Sequence, residues 1–553
     1  MKKTLIYLIC FSILAACVPD EVGRATPPPS PIPSLPAATN TSVPEALWVS
    51  PAVPDALVDL AKTWNIPFTI DPSIATQKLD IADVSQSTLW VYALVAPFAT
   101  VTDNATEQDL LSLWNGSASG RPMAGRGLLM AESTLKAFTA VWGEPASGAV
   151  RVVSSDELMD TAWRESVWAI IPFEDIQPKW KVLSVDGQSP LRKDFDVAKY
   201  PLKINFGLSS LTFVLPASNR DESKLATVIL TGVTALVRAT AATMEIKGVT
   251  YPGSLIRDWM READVAHISN EVPFDAACPT PNFSYTNLLL CSDPKYLDLF
   301  LDIGTDIVEL TGDHFADRGV NAMLETLAIY KKNNLPYYGG GANSEEARQP
   351  ILMNVNGNKI AFMGCNGKLK YAKATDTTPG AADCDYDFFV DQIHSLKAQG
   401  YMVIFTFQHE ECYYAGPCYT HVKGFREVAD AGATVVSGSQ AHYPHIMEFR
   451  GASFVHYGLG NLFFDQMYYT LSDGTVIDGT RREFLDRHVF YDGHYLGVEI
   501  LTAMLEDFSR PRPMTEIERN AFLSEYFNLS GWLELSPTPI PQPTPTLTPI
   551  ALP

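Results

Sequence analysis

Polar side chains that suit metal binding or proton transfer stand in four groups in the second half of the chain. The groups are Asn270-Glu271, Asp313-His314, Gln408-His409-Glu410 and Gln440-Ala441-His442. Their carboxylate, amide and imidazole groups are ligands for Mn, Mg, Fe or Zn. All ten histidines lie between His267 and His494, so any site chemistry that uses histidine belongs to this half.

The segments around these groups alternate between apolar runs and amphipathic stretches. Strands are predicted over residues 227–237, 265–272, 306–311, 401–407 and 434–437, with a hairpin turn at 356–358. Helices are predicted over residues 251–263, 294–303, 320–333, 388–399 and 422–431. Strands separated by helices of this length form a largely parallel sheet with helices on its faces. Because ligands bind beyond the carboxyl ends of such strands, we expect the four groups to converge on one pocket.

The first residues predict export. Lys2 and Lys3 precede an apolar run over residues 5–16, which is shorter than the roughly 20 residues of a membrane-spanning helix. The closing Leu14-Ala15-Ala16-Cys17 resembles the lipobox of bacterial lipoproteins. That resemblance implies that Cys17 is acylated and that the protein is anchored to the outer face of the cell membrane. A secretory signal with a chance cysteine is the alternative.

Charge and cysteine content agree with an exported protein that does not bind nucleic acid. The chain has 41 Lys and Arg against 63 Asp and Glu, a formal net charge of −22, which repels DNA and RNA. Six cysteines follow Cys10 and Cys17, and an even number favours disulfides in an exported chain. Their sequence order suggests one of 15 possible connectivities: Cys278 with Cys291, Cys365 with Cys384, and Cys412 with Cys418.

Composition divides the chain into two α/β domains between Pro-rich ends. The predicted segments are a signal peptide (1–17), a Pro-rich linker (18–44), a first domain (45–221), a second domain (222–535) and a Pro/Thr-rich tail (536–553). The first domain resembles phosphate-type periplasmic binding proteins. The residues that carry this resemblance lie at 92–98, 106–116, 169–172, 186–187 and 200–202. It implies a ligand-binding fold and identifies no ligand residue.

The second domain resembles the CapA, or poly-γ-glutamate capsule synthesis, family over about residues 227–465. The matching motifs are Ala263-Asp264 with Asn270-Glu271, Gly312-Asp313-His314, Asp317-Arg318-Gly319, Thr326, the segment 339–343, Glu346-Ala347, Pro350 and the segment 457–465. The family is similar in fold to calcineurin-like metallophosphoesterases. The resemblance therefore implies a metallophosphoesterase-like layered α/β domain, preceded here by the binding-protein-like one.

Three departures from the family pattern affect the expected metal site. The opening Gly-Asp appears as Gly232-Val233, a histidine before Trp-Gly becomes Gln408, and Gly-x-His-x-His becomes Gly438-Ser439-Gln440-Ala441-His442. Valine cannot bind a metal, and glutamine is a weak neutral ligand. We therefore expect either one divalent metal or none, instead of a dinuclear centre.

Two functions remain open from the sequence. The first is a hydrolase that acts on a phosphate-containing molecule or an envelope polymer. Asp313, His314 and His442 hold its metal, assisted by Asn270 or Gln440, while Glu271 and His314 are the catalytic residues and Glu271 orients or activates water. The second is a non-catalytic module that binds polymer or ligand. In both, basic residues such as Lys368, Lys370, Arg481 and Arg482 are candidates for contacting a polyanion.

Overall fold

The computed structural model of the protein describes residues 45–532, apart from 83, 85, 118–126, 210–212, 284–288 and 369. The predicted signal peptide with Cys17, the linker and the tail therefore lie outside the described residues. Within the described part of the chain, no helix has the length and apolar character needed to cross a membrane.

The first α/β region is built on a nine-stranded sheet with the order β1-β2-β9-β3-β7-β5-β6, in which β8 joins β3 to β4. Its strands are β1 (Leu47–Val49), β2 (Gln77–Ile81), β3 (Ser87–Pro97), β4 (Asn104–Ala105), β5 (Leu128–Met130), β6 (Val150–Val152), β7 (Ala169–Pro172), β8 (Trp180–Val185) and β9 (Lys203–Leu208). Its helices are α1 (Asp55–Lys62), α2 (Glu107–Trp114), α3 (Glu132–Trp142) and α4 (Leu158–Glu165). Strand β3 is buried from Trp90 onward and is the centre of this core.

The second region contains two large sheets. The sequence predicted a single sheet, and this prediction of the number of sheets is wrong. The first sheet has the order β14-β13-β12-β10-β26-β27-β28, with β11 between β12 and β23. Its strands are β10 (Leu225–Leu230), β11 (Val233–Thr234), β12 (Val265–Asn270), β13 (Ile307–Glu309), β14 (Tyr337–Tyr338), β23 (Asn461–Phe463), β26 (Arg482–Tyr491), β27 (His494–Glu506) and β28 (Arg510–Pro513).

The second sheet has the order β16-β17-β19-β20-β22-β21 and is parallel from β17 to β22. Its strands are β16 (Ile351–Val355), β17 (Asn358–Asn366), β19 (Met402–Gln408), β20 (Val435–Ser437), β21 (Met447–Arg450) and β22 (Ser453–His456). Two small ribbons complete the strands: β15 (Gly340–Gly341) with β18 (Gly380–Ala381), and β24 (Tyr469–Thr470) with β25 (Val476–Ile477).

The two sheets pack face to face, and helices cover their outer faces. Val228 and Val265 of the first sheet share one apolar core with Ile404 and Val435 of the second. The helices of this region are α5 (Arg238–Lys247), α6 (Arg257–Glu262), α7 (Leu297–Ile303), α8 (Gly319–Lys332), α9 (Ser344–Ala347), α10 (Tyr386–Ala398), α11 (Tyr419–Ala431) and α12 (Glu516–Leu529). Helices α5 to α8 pack on the first sheet, and α9 to α11 pack on the second. This confirms the predicted layered α/β domain preceded by another α/β region. Residues Glu45–Pro553 form one compact unit, so the border at residue 221 stays a prediction.

The predicted strand over residues 227–237 is interrupted, because the chain crosses another segment at Gly232. A Cβ atom at this position would lie 2.0 Å from the carbonyl oxygen of Gly460. Strand β11 then pairs with β12 and β23. Helix α5 begins at Arg238, whose guanidinium group binds the fully buried carboxylate of Asp465 at 2.6 Å. No pattern in the local sequence indicates this distant contact.

Three disulfides join the six cysteines in the predicted pairs: Cys278–Cys291, Cys365–Cys384 and Cys412–Cys418. The second ties the end of β17 to the segment before α10. The third closes the loop between β19 and α11. Both loops carry residues of the pocket described below.

We expect the Cys365–Cys384 disulfide to stabilise the fold by restricting the unfolded chain. The pair closes a loop of 19 residues, for which chain entropy predicts about 3 kcal/mol. The double variant Cys365→Ala, Cys384→Ala should lose about this much free energy of unfolding in chemical denaturation. The control is Cys412→Ala with Cys418→Ala, whose separation is 6 residues and whose expected loss is about 2 kcal/mol. A larger loss in the control would contradict the entropic explanation.

Candidate functional site

Inward-facing side chains become polar toward the carboxyl ends of the strands. Along β12, alternate residues facing the second sheet run from Val265 through His267 and Ser269 to Glu271. Along β13 the series runs from Ile307 through Glu309 and Thr311 to Asp313. Successive side chains of a strand point to opposite faces, so strand alternation directs His267 and Glu309 toward the space between the sheets, and Glu271 and Asp313 follow the ends of these two strands.

Glu271, Asp313 and His314 converge at this end of the sandwich. Each offers one ligand atom, and these three atoms lie within 4.8 Å of one another. Both carboxylate oxygens of Glu271 are buried and have no hydrogen-bond donor within the described chain. The Nδ1 atom of His314 lies 2.7 Å from Asp317 Oδ2, which holds the imidazole ring in place. The structure therefore brings three of the predicted site residues together.

A lysine occupies the same pocket. The Nζ atom of Lys368 lies 2.9 Å from Asp313 Oδ2 and 2.5 Å from Glu411 Oε1. Its side chain is only 12% exposed. The sequence predicted Glu410 near this point, but Glu410 is exposed and the adjacent Glu411 enters the pocket.

His442 lies beside the carboxylates of Glu271 and Glu411. Its Nε2 atom is 3.4 Å from Glu271 Oε1 and 3.9 Å from Glu411 Oε1. Its Nδ1 atom lies 2.9 Å from Asn461 Oδ1, and Phe464 stacks on its ring. Asn461 therefore positions the ring of His442.

Three buried amide side chains surround the cluster and leave their carbonyl oxygens without a donor among the described residues. Gln408 donates to Asp313 Oδ1 at 3.0 Å, and Gln440 donates to Ser269 Oγ at 2.6 Å. Asn270 donates to Val272 O and to the hydroxyl of Tyr330 on α8, both at 2.8 Å. Asn270 thus follows the strand alternation away from Glu271, and its role as a metal ligand stays a prediction.

The donor set fits one divalent cation better than two. Glu271, Asp313 and His314 supply oxygen and nitrogen ligands, and the unpaired oxygens of Glu271 are what a cation would satisfy. A second cation bound between Asp313 and Glu411 would need the position that the ammonium group of Lys368 occupies. The fully buried Val233 adds no compensating carboxylate.

The charges in the pocket shift one another's titration. Burial alone would lower the pKa of His442, but the carboxylates of Glu271 and Glu411 outweigh it and raise that pKa to about 9. Burial is likewise outweighed at His314, where Asp317 and Glu271 raise the pKa to about 9. Burial favours the neutral form of Glu411, yet His442 and Lys368 lower its pKa to about 2. Without a metal, these pKa values favour protonated His314 and His442 beside an ionised Glu411 at neutral pH.

Several other candidate residues have structural contacts instead. His409 stacks between Phe407 and His421, whereas Gln408 contacts Asp313. Gly339 has a φ of +73°, and a Cβ at Gly340 would lie 2.7 Å from the carbonyl oxygen of Leu310. This glycine segment therefore serves a turn and a close approach of the backbone.

The remaining inward histidines belong to the interior of the sandwich. His267 pairs with Glu309 at 3.2 Å, and His456 pairs with Asp486 at 2.6 Å. Other histidines and arginines of this region also contact groups outside the carboxylate cluster: His445 with Cys412 O, His488 with Tyr495, Arg481 with Leu505 O, and Arg482 with Glu525. Of the basic candidates with a described side chain, Lys368 is the one that contacts the carboxylate cluster.

Comparison with known proteins identifies the second region at the level of a domain. Residues 227–466 match the family model "Bacterial capsule synthesis protein PGA_cap". The chain is 23% identical over 274 residues to "Capsule biosynthesis protein CapA" of Bacillus anthracis, covering 48% of this chain and 66% of that protein. It is 29% identical over 195 residues to "PGA biosynthesis protein CapA" of Bacillus subtilis (strain 168), covering 34% of this chain and 50% of that protein. The second region therefore contains a CapA-like domain, and the match spans about half to two thirds of these relatives.

The structure of an ABC-type phosphate transport receptor from Vibrio cholerae also aligns, with a TM-score of 0.26 and 13% identity, over 30% of this chain and 85% of that one.

We expect the chelated protein to lose stability as pH rises through the pKa of His442. A raised pKa of about 9 means that the stabilisation is complete below about pH 6.5 and is lost as the pH rises through 9. Because the pKa of His314 is raised to about 9 as well, the free energy of unfolding, measured with EDTA present, should fall by about 3 kcal/mol for each of the two histidines over this range. His442→Asn should remove about half of this dependence, whereas substitution of the exposed His394 by Asn should leave it unchanged. An equally steep loss in His442→Asn would rule out this explanation.

Proposed function

We propose that this protein acts in the synthesis of a capsule-type exopolymer, such as poly-γ-glutamate, as a lipoprotein on the outer face of the cell membrane. In this proposal the CapA-like domain is a metal-dependent hydrolase that binds one divalent cation and an anionic group of the polymer or of a phosphate-containing precursor. The observation that carries it is the convergence of Glu271, Asp313 and His314 around buried oxygens that lack donors. The match to capsule synthesis proteins supports the biological process.

The residues of the pocket suit hydrolysis of such a group. Glu271, Asp313 and His314 would hold the cation, which when bound polarises an oxygen of the substrate. His442 keeps a proton on the ring, and its Nε2 atom faces the carboxylates of Glu271 and Glu411. It can therefore donate a proton to a departing oxygen, and the Glu271 oxygen that does not hold the cation can accept one from water.

A non-catalytic binding module is the second candidate function. It is favoured by Lys368, which neutralises Asp313 without a metal, and by the buried Val233 where the family has an aspartate. A pocket with fixed positive charges can bind a carboxylate or phosphate without breaking a bond. Turnover of a generic phosphodiester in the presence of Mn²⁺ or Zn²⁺ would exclude this alternative.

Asp313→Asn should abolish stoichiometric metal binding, because it removes the charge of a carboxylate that also contacts Gln408 and Lys368. We expect about one metal per wild-type chain by elemental analysis after dialysis with Mn²⁺, and none in the variant. Cellular polymer should fall in parallel. The exposed Asp387→Asn serves as the matched control and should retain both metal and polymer. The hydrolase proposal fails if wild-type protein holds no metal and Asp313→Asn leaves the polymer unchanged.

Acylation of Cys17 should determine where the protein resides. Cys17→Ser should move it from the detergent phase to the aqueous phase in detergent partitioning, because the acyl chains provide the attachment. Cys10→Ser, in the apolar run, should not. Retention of Cys17→Ser in the detergent phase would argue against the lipid anchor.

A further inference from the structure

A lysine bridges two carboxylates in the candidate site, as a metal ion does in many hydrolases. The Nζ atom of Lys368 contacts Asp313 Oδ2 at 2.9 Å and Glu411 Oε1 at 2.5 Å. We propose that this ammonium group occupies a cation position of the site, so that the protein binds one divalent cation fewer than its carboxylates could hold. This inference deepens the proposed one-metal site and rests on it.

The lysine is built into the pocket. Its backbone N–H donates to Asn366 Oδ1 at 2.8 Å, and Asn366 Nδ2 donates to Thr311 O at 2.8 Å, two residues before Asp313. The disulfide from Cys365 fixes the same end of β17. The segment that carries Lys368 is thus attached directly to the segment that carries Asp313.

Its partner carboxylate is also held in place. Tyr413 donates to Glu411 Oε2 at 2.7 Å, and Gln466 Nε2 donates to the Tyr413 hydroxyl at 3.0 Å. Glu411 therefore presents its other oxygen, Oε1, to Lys368. Two oriented carboxylates on one compact cation form a bridge of the kind that a divalent ion would otherwise make.

The third carboxylate of the pocket, that of Glu271, remains available to a metal ion. Glu271 is fully buried, and neither of its oxygens accepts a hydrogen bond from the described chain. Lys368 contacts Asp313 and Glu411, whereas His442 approaches Glu271 at 3.4 Å. The ammonium group therefore compensates Asp313 and Glu411, and the oxygens of Glu271, which accept no hydrogen bond from the described chain, remain as ligands for a metal.

The test measures how many Mn²⁺ ions each full-length variant binds. Lys368→Gln removes the charge and should raise the stoichiometry by one ion per chain, from one to two, in equilibrium dialysis. Lys368→Arg keeps the charge and should bind as many ions as the wild type. Lys331→Gln removes a lysine that pairs with Glu346 on the surface at 3.0 Å, and should also leave the number unchanged.

An unchanged stoichiometry in folded Lys368→Gln would overturn the inference, as would a gain in Lys331→Gln of the same size. If the wild type binds no Mn²⁺ and Lys368→Gln binds one, the inference stands and the metal part of the proposed function fails.

A second measurement needs no variant. Anomalous scattering from wild-type crystals grown in excess Mn²⁺ should show one site, with Lys368 Nζ still between Asp313 and Glu411. Two Mn²⁺ sites, or a lysine displaced into solvent, would overturn the inference even if Lys368→Gln does not fold.

Discussion

Charge compensation among buried carboxylates governs the second region of this protein. Glu271, Asp313 and Glu411 meet where water is largely excluded, and an isolated buried charge of this kind is very costly. Lys368 compensates the charges of Asp313 and Glu411, and the imidazole ring of His442 lies beside Glu271. The carboxylates and the cationic groups of the pocket therefore compensate one another without a ligand. Removing either set would leave buried charge without compensation.

The fold supplies this arrangement through strand alternation. Parallel strands of two facing sheets end at the same edge, and their inward positions change from apolar to polar along each strand. The apolar part forms the core between the sheets, and pairs such as His267 with Glu309 form a middle layer. The same strands thereby provide both the stability of the sandwich and the position of the site.

Much of this could be predicted from the sequence where the signal was local. The ends of the predicted strands and the resemblance to the CapA family indicated Glu271, Asp313 and His442 as site residues. The order of the cysteines indicated the disulfides. Lys368 and Glu411 were not identified as members of the site, because both lie on loops and their pairing joins positions more than 40 residues apart, for which no local pattern exists.

Two further differences between the sequence-based expectation and the structure have physical explanations. The long hairpin of β26 and β27 was not predicted, although its Asp492-Gly493 turn has positive φ at both residues and Asp-Gly is a strong hairpin signal. The presence of two sheets could not be read from alternating strands and helices, since that pattern specifies connections and not which strands share hydrogen bonds.

The Cys365–Cys384 and Cys412–Cys418 bonds also make the pocket sensitive to its redox surroundings. They close the two loops that bring Lys368 and Glu411 together. In a reducing compartment these closures open, and the opposed ammonium and carboxylate groups lose their covalent support. Reduction of the two bonds would therefore remove a covalent constraint on the loops that carry Lys368 and Glu411.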